Sequence, residues 1–308
     1  MFWVFNSLLL AQTEIYATVS GGDLYSIQVK SCTRTFVGST GHGFGDIAFT
    51  TNGKLWGIVS GDLYQIDTTN ANSTYIGNTG LNGVSLVGVA DTLLLTEDHQ
   101  KLYGISTNSA TSYLIGYVGY SAHGDLVFCD NSLYMVTPFV KIQVNSNYSE
   151  ILDVKLINDA QLPLCEGAAT NDDDYFSIIG FNGSNLVEIC HLNGTYEIVC
   201  PDLNLGGTPG AASIPKESKN FQLVNVFTPN NDGVNDLFQP IGELSHLNSL
   251  QILNRWGDNI VVLNAPFIWD GHDNFGNEIE TGVYFYTILH NEGCYKTIKK
   301  QSMIHLIR

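Results

Sequence analysis

Basic side chains are scarce in this chain: 13 Lys and Arg stand against 30 Asp and Glu in 308 residues, a formal net charge of −17. An acidic surface repels phosphate backbones and anionic lipid, so neither a nucleic acid nor a charged membrane face is expected as partner. Charged residues make up only 14% of the chain while hydrophobic ones reach 44%, which fills a core and excludes a disordered chain. No apolar run approaches the ~18 residues of a membrane-spanning helix, so no transmembrane helix is expected. The cysteines Cys32, Cys129, Cys165, Cys190, Cys200 and Cys294 include no CxxC pair, which removes zinc-ribbon and thioredoxin-type readings. Catalytic signatures are missing too: there is no Gly-x-Ser-x-Gly elbow, no His-Glu-x-x-His helix and no phosphate loop. A sustained helical period is also absent, which argues against helical solenoids.

What the chain does have is Gly, Asn, Thr, Ser and Tyr, a mixture suited to many short strands and tight turns. It is also repetitive. Leu24-Tyr25-Ser26-Ile27 recurs 39 residues later as Leu63-Tyr64-Gln65-Ile66, and again after 39 more as Leu102-Tyr103-Gly104-Ile105. Weaker copies follow at Val140-Lys141-Ile142 and Leu186-Val187-Glu188-Ile189. Phe36-Val37-Gly38 matches Tyr75-Ile76-Gly77 and Leu114-Ile115-Gly116. Gly45-Asp46-Ile47-Ala48-Phe49 matches Gly124-Asp125-Leu126-Val127-Phe128, and Leu55-Trp56-Gly57-Ile58 matches Leu133-Tyr134-Met135-Val136. Each unit thus holds four short strands in about 40 residues, the pattern of a β-propeller blade.

The ends of the repeat region are complementary. Gly210-Ala211-Ala212-Ser213 reads as an innermost strand with no successor, and Ile15-Tyr16-Ala17-Thr18-Val19 reads as the missing second strand. Pairing the two would seal a ring and remove exposed sheet edges. Counting strand types predicts a five-bladed β-propeller over 13–214; an open β-solenoid is the alternative. Cys165 and Cys200 both precede equivalent repeat segments, which makes them the expected disulfide partners in an oxidising compartment.

Residues 1–12 have an apolar stretch and a small residue at Ala11, like the end of a signal peptide, without the usual basic start. Residues 215–220 form a short, polar stretch that contains a proline, as a linker does. After them come Val226-Phe227-Thr228-Pro229-Asn230-Asn231-Asp232-Gly233-Val234-Asn235-Asp236, then Asn254-Arg255-Trp256-Gly257, Trp269-Asp270-Gly271, Gly282-Val283-Tyr284-Phe285-Tyr286 and Leu306-Ile307-Arg308. In this order and spacing, residues 221–308 resemble the gliding motility-associated C-terminal domain, the type B sorting module of the bacterial type IX secretion system. The resemblance implies an immunoglobulin-like β-sandwich, recognition by the type IX secretion machinery, and a secreted or outer-membrane cell-surface location. Alternating short strands in about 90 residues agree with an all-β sandwich. Trp256 and Trp269 are expected in the core or packed on turns.

Two groups of residues invite ligand readings. The segment Asn230 to Asp236 sets oxygen-bearing side chains around a glycine, as calcium loops do. Asn230, Asp232, Asn235 and Asp236 would be the ligands; a turn held by its own backbone bonds is the competing reading. The family usually has Gly where this chain has Asn231. In the propeller, the loops entering the innermost strands (38–44, 77–83, 116–123, 153–166 and 200–209) gather His42, Phe44, Tyr117, Tyr120 and His123 near Asp46 and Asp125. Aromatic faces beside carboxylates suit a sugar or peptide. Against this, Asp46 and Asp125 recur at one repeat position, where an aspartate often only braces a turn. Asp172-Asp173-Asp174 reads as a solvated turn tip. The resulting expectation is a secreted cell-surface binding or adhesion protein with a surface glycan or protein as ligand. A carbohydrate-active enzyme and a purely structural surface component are the alternatives.

Overall fold

The computed structural model describes residues 14–83, 85–129, 132–158, 167–170, 177–207, 210–213, 222–241, 247–291 and 297–308. The proposed signal segment, the proposed linker, Cys165 and Asp172–Asp174 lie outside these residues. The chain divides into two compact units, Met1–Lys216 and Glu217–Arg308. Both are built from strands; the one helical element among the described residues is a three-residue 3-10 turn, Val29–Ser31.

In the first unit the described strands form five four-stranded antiparallel sheets, propeller-like blades with strands in simple up-and-down order. The first sheet contains Asp46–Phe49, Leu55–Val59, Asp62–Ile66 and Ser73–Asn78. The second runs from Val87–Ala90 to Ser112–Tyr117, the third from Leu126–Cys129 to Ile151–Asn158, and the fourth from Ala168–Thr170 to Tyr196–Cys200. In the fifth, Gly210–Ser213 pairs with Glu14–Thr18, which leads into Asp23–Gln28 and Thr33–Ser39. The complementary ends of the repeat region therefore meet in one sheet, with Ile15 opposite Ser213 and Thr18 opposite Gly210.

The innermost strand of each sheet contacts that of the next, and the fifth contacts the first. This order explains the sequence pattern. A strand near the axis is covered on both faces, so Asp-Ile-Ala-Phe and Leu-Trp-Gly-Ile are continuously buried and not alternating. The outermost strands meet water: Thr33–Ser39 has no buried residue. Segment 153–158, expected within an entry loop, instead extends the outer strand Ile151–Asn158 of the third sheet.

Cys200 bonds to Cys32, with Cα atoms 5.5 Å apart, and does not pair with Cys165. Cys32 follows the Val29–Ser31 turn on the fifth sheet, and Cys200 ends the outermost strand of the fourth, so the bond joins neighbouring sheets across the ring's seam. Linear repeat equivalence could not show this, because the partners are 168 residues apart and become neighbours only once the ends meet. Cys190 is disulfide-bonded as well.

Among its described residues, the second unit has a five-stranded sheet and a two-stranded one. The larger contains Leu247–Leu253, Asn259–Leu263, Gly282–Asn291 and Thr297–Leu306, with Val226–Phe227 adding in parallel beside the last of these. The smaller pairs Gln222–Leu223 with Pro240–Ile241. Their core holds Phe227, Phe238, Leu250, Ile252, Trp269, Ile304 and Leu306. Trp269 is buried and its indole N–H donates to the His272 carbonyl at 2.7 Å. Trp256 does not join it: at 77% exposure it lies on a turn, with the Arg255 guanidinium 5.2 Å from its ring. The Asn254 side chain accepts the Trp256 N–H and fixes that turn, which turns the indole outward.

Candidate functional site

The repeat places Asp46 and Asp125 at the head of the innermost strands of the first and third sheets. Strand pairing carries both side chains to the axis, where Asp46 is 0% and Asp125 1% exposed. Asp46 Oδ1 accepts the N–H of Ile47 at 2.7 Å, and its Oδ2 accepts that of Leu86, in the second sheet's entry segment, at 2.5 Å. Asp125 Oδ1 accepts the N–H of Leu126 at 2.6 Å, and its Oδ2 accepts that of Ala168, in the fourth sheet, at 2.8 Å. The two carboxyls are also hydrogen-bonded to each other. Burial raises Asp46 well above the usual carboxylate range, and the neighbouring Asp125 raises it further. Burial likewise pushes Asp125 up to about 7, against the lowering effect of its hydrogen bonds to Asp46, Ala168, Leu126 and Leu86.

Small residues make room for this arrangement. A Cβ on Gly210 would lie 2.6 Å from Asp46 Cα and 2.7 Å from its Oδ1, so only glycine lets the fifth sheet reach the first. A Cβ on Gly167 would likewise meet the Ala211 backbone nitrogen at 3.0 Å.

The other residues expected to share a pocket are spread apart. Phe44 is in the core, 1% exposed, with its ring against Gly57, so it has no face for a ligand. His42 is half-buried, its ring tilted against those of Tyr64 at 4.4 Å and Phe44 at 5.7 Å. Tyr117 is 65% exposed on an outer strand, and its hydroxyl donates to Gln100 Oε1 at 2.5 Å. Tyr120 packs against the apolar cluster that includes Leu126 and Leu133. His123 is exposed, and its backbone N–H donates to Thr137 O. Thus the structure joins Asp46 to Asp125 and His42 to Phe44, but puts the carboxyls behind protein and not at an open mouth. A general acid or base must reach its substrate, and neither aspartate does so in this arrangement.

Residues not singled out as ligand candidates supply the accessible aromatic surface. Tyr25 meets Phe36 at 5.5 Å and Tyr64 meets Tyr75 at 5.4 Å, both edge to face. The Arg34 guanidinium lies 5.5 Å from the Tyr25 ring. Phe36 and Tyr75 are exposed on the outer strands. The recurring Leu-Tyr-x-Ile motif carried this signal, because its tyrosine faces the matching aromatic one strand outward.

In the second unit the loop 230–236 is exposed and closes on itself. Asp236 Oδ1 accepts the N–H groups of Asn230 at 3.0 Å and Asn231 at 2.6 Å, and its Oδ2 accepts that of Gly233 at 2.7 Å. Asp232 accepts from Val234 N–H and the Asn230 amide, while the Asn235 carbonyl accepts the Thr228 N–H. Desolvation is the largest single influence and raises Asp236, but the backbone donors together outweigh it and hold the carboxyl below its usual value. Side-chain oxygens of Asn230, Asp232 and Asp236, three of the residues in the calcium reading, thus accept the loop's own donors. Among the described residues, no group of three or more His, Cys, Asp or Glu side chains is placed to hold a metal ion.

Comparison with known proteins identifies the second unit. Residues 221–306 match the family described as CHU_C Type IX secretion signal domain. That domain directs export to the cell surface or extracellular space through the type IX secretion machinery. Among the described residues, no helix is long and apolar enough to cross a membrane. No curated protein matches the chain. Similar solved structures include a nidogen/laminin complex, 10% identical over 66% of this chain and 98% of that one, with a TM-score of 0.43. A protein of unknown function from Bacteroides caccae is 13% identical over 67% and 100%, with a TM-score of 0.43. An auxiliary nutrient binding protein from Bacteroides thetaiotaomicron VPI-5482 is 9% identical over 60% and 54%, with a TM-score of 0.44. At these values the likeness carries no chemistry.

Proposed function

We propose that this is a secreted cell-surface binding or adhesion protein. Residues 13–214 form a five-bladed propeller that serves as the recognition domain. Residues 221–308 form an immunoglobulin-like module that is read by the type IX machinery, 1–12 belong to a signal peptide, and 215–220 are the linker. The observation that carries the binding reading is the repeated, solvent-facing aromatic pairing at the rim, Tyr25 with Phe36 and Tyr64 with Tyr75, on a unit that has an export domain attached. Aromatic faces with polar neighbours, here His42 and Arg34, suit the flat faces of sugars or the side chains of a partner protein.

The test is a glycan and surface-protein array probed with the full chain, run beside a hydrolysis screen on the same glycans. Binding without turnover is expected, and the double variant Phe36→Ala/Tyr75→Ala should weaken it at least tenfold. Turnover would favour the carbohydrate-active enzyme. Absence of binding together with extensive self-association would favour a structural surface component.

A further inference from the structure

We propose that Asp46 and Asp125 form a proton-operated clasp at the axis of the first unit, holding one shared proton that is released as the medium turns alkaline, with loosening of the innermost strands. The inference does not depend on what the rim binds. It rests first on position. Asp46 reaches from the first sheet to the Leu86 N–H of the second, and Asp125 reaches from the third to the Ala168 N–H of the fourth. The carboxyl–carboxyl contact then joins the first sheet to the third. Four sheets therefore depend on one pair of side chains, and Gly210 of the fifth lies against Asp46.

The chemistry follows from the contact. Two carboxylates have only acceptor oxygens, so a hydrogen bond between them requires a proton on one. When that O–H bond breaks, the proton passes to solvent base and the electron pair stays on oxygen. Two like charges are then left face to face in a dry site. Among the described residues, no basic side chain offsets them. The second sheet faces the pair with Leu86 N–H, the fourth with Ala168 N–H and the fifth with the Gly210 backbone, none of which titrates. Glu97, a buried carboxylate of the second sheet, is turned to the N–H groups of Gln100 and Ala122. Among the described residues, neither aspartate has a charged partner except the other.

The direction of the pH effect is fixed by linkage. Both carboxyls titrate higher in the folded chain, Asp125 at about 7 and Asp46 well above its ordinary value. The unfolded chain loses these protons near pH 4. The folded state therefore binds more protons than the unfolded one from about pH 4 upward. The pair's stabilisation is complete below that point and is lost as pH rises from there through about 7, by up to about tenfold in the folding constant per pH unit for the shared proton.

The test compares urea unfolding of the full chain at a series of pH values between about 5 and 9 with that of the double variant Asp46→Asn/Asp125→Asn. Wild type should lose stability more steeply than the variant as pH rises toward about 7, approaching tenfold per pH unit below neutrality. Equal slopes would overturn the clasp. Should the variant not fold, infrared spectra of wild type with carbon-13-labelled aspartate decide the matter. A protonated aspartic acid band should be present in folded protein at about pH 6, where ordinary carboxyls are ionised, and should weaken as pH rises through about 7. Folded protein lacking that band at the lower pH would overturn the proposal.

Discussion

Gly210 is held to glycine by its surroundings, because the Asp46 backbone and carboxylate fill the space where a side chain would begin. Gly210→Val should destabilise the first unit by about 1–3 kcal/mol in urea unfolding, the usual cost of forcing atoms into a packed site. In the second unit Trp269 carries the core, in ring contact with Phe227 at 5.1 Å and Phe238 at 6.5 Å. Trp269→Ala should cost about 3–5 kcal/mol by the same measurement. Asp236 acts on the surface. Its carboxyl is held below the ordinary value, so its contribution is present above about pH 4 and is lost as pH falls through the folded-state value. Amide exchange at Asn230, Asn231 and Gly233 should therefore accelerate on acidification, after correction for intrinsic rates, and Asp236→Ala should show the faster exchange already at neutral pH.

At the scale of elements, the turns and strands of the repeat are legible where local chemistry decides them. Ser60-Gly61 has positive φ at both residues, as a tight hairpin turn requires, and the sequence marks it with glycine. The equivalent turn of the second sheet uses His99 and Gln100, also at positive φ, with no glycine to mark it. Hydrogen bonds from Gln100 N–H to Glu97 and from Tyr117 to the Gln100 side chain hold it there. The disulfide shows the opposite limit. Cys32 and Cys200 become neighbours through ring closure, which no local pattern announces. Replacing both by serine should lower the unfolding free energy of the first unit by about 2–4 kcal/mol, measured against wild type under non-reducing conditions. The aspartates fall between these cases. Their repeat position was legible, but their burial was not, because the spacing of Gly-Asp pairs does not tell how closely two non-adjacent sheets approach across the axis.

For the whole molecule, two kinds of sequence information have separate consequences. Periodicity, together with complementary ends, points to sheets that close on one another, and the pairing of Gly210–Ser213 with Glu14–Thr18 is the contact by which they do so. The C-terminal motifs point to a destination, and residues 221–306 match the type IX secretion signal domain. The ligand is less legible, since recognition at a rim depends on which aromatic faces stay exposed after packing, as Phe44 and Tyr75 illustrate in opposite ways. The central claim is that the second unit exports the first. Its most direct measurement is the location of a chain truncated before residue 221, expressed in a bacterium that has the type IX system and compared with the full chain. The truncated protein should accumulate, folded, in the periplasm while the full chain reaches the surface or the medium. Equal export of both would contradict the account.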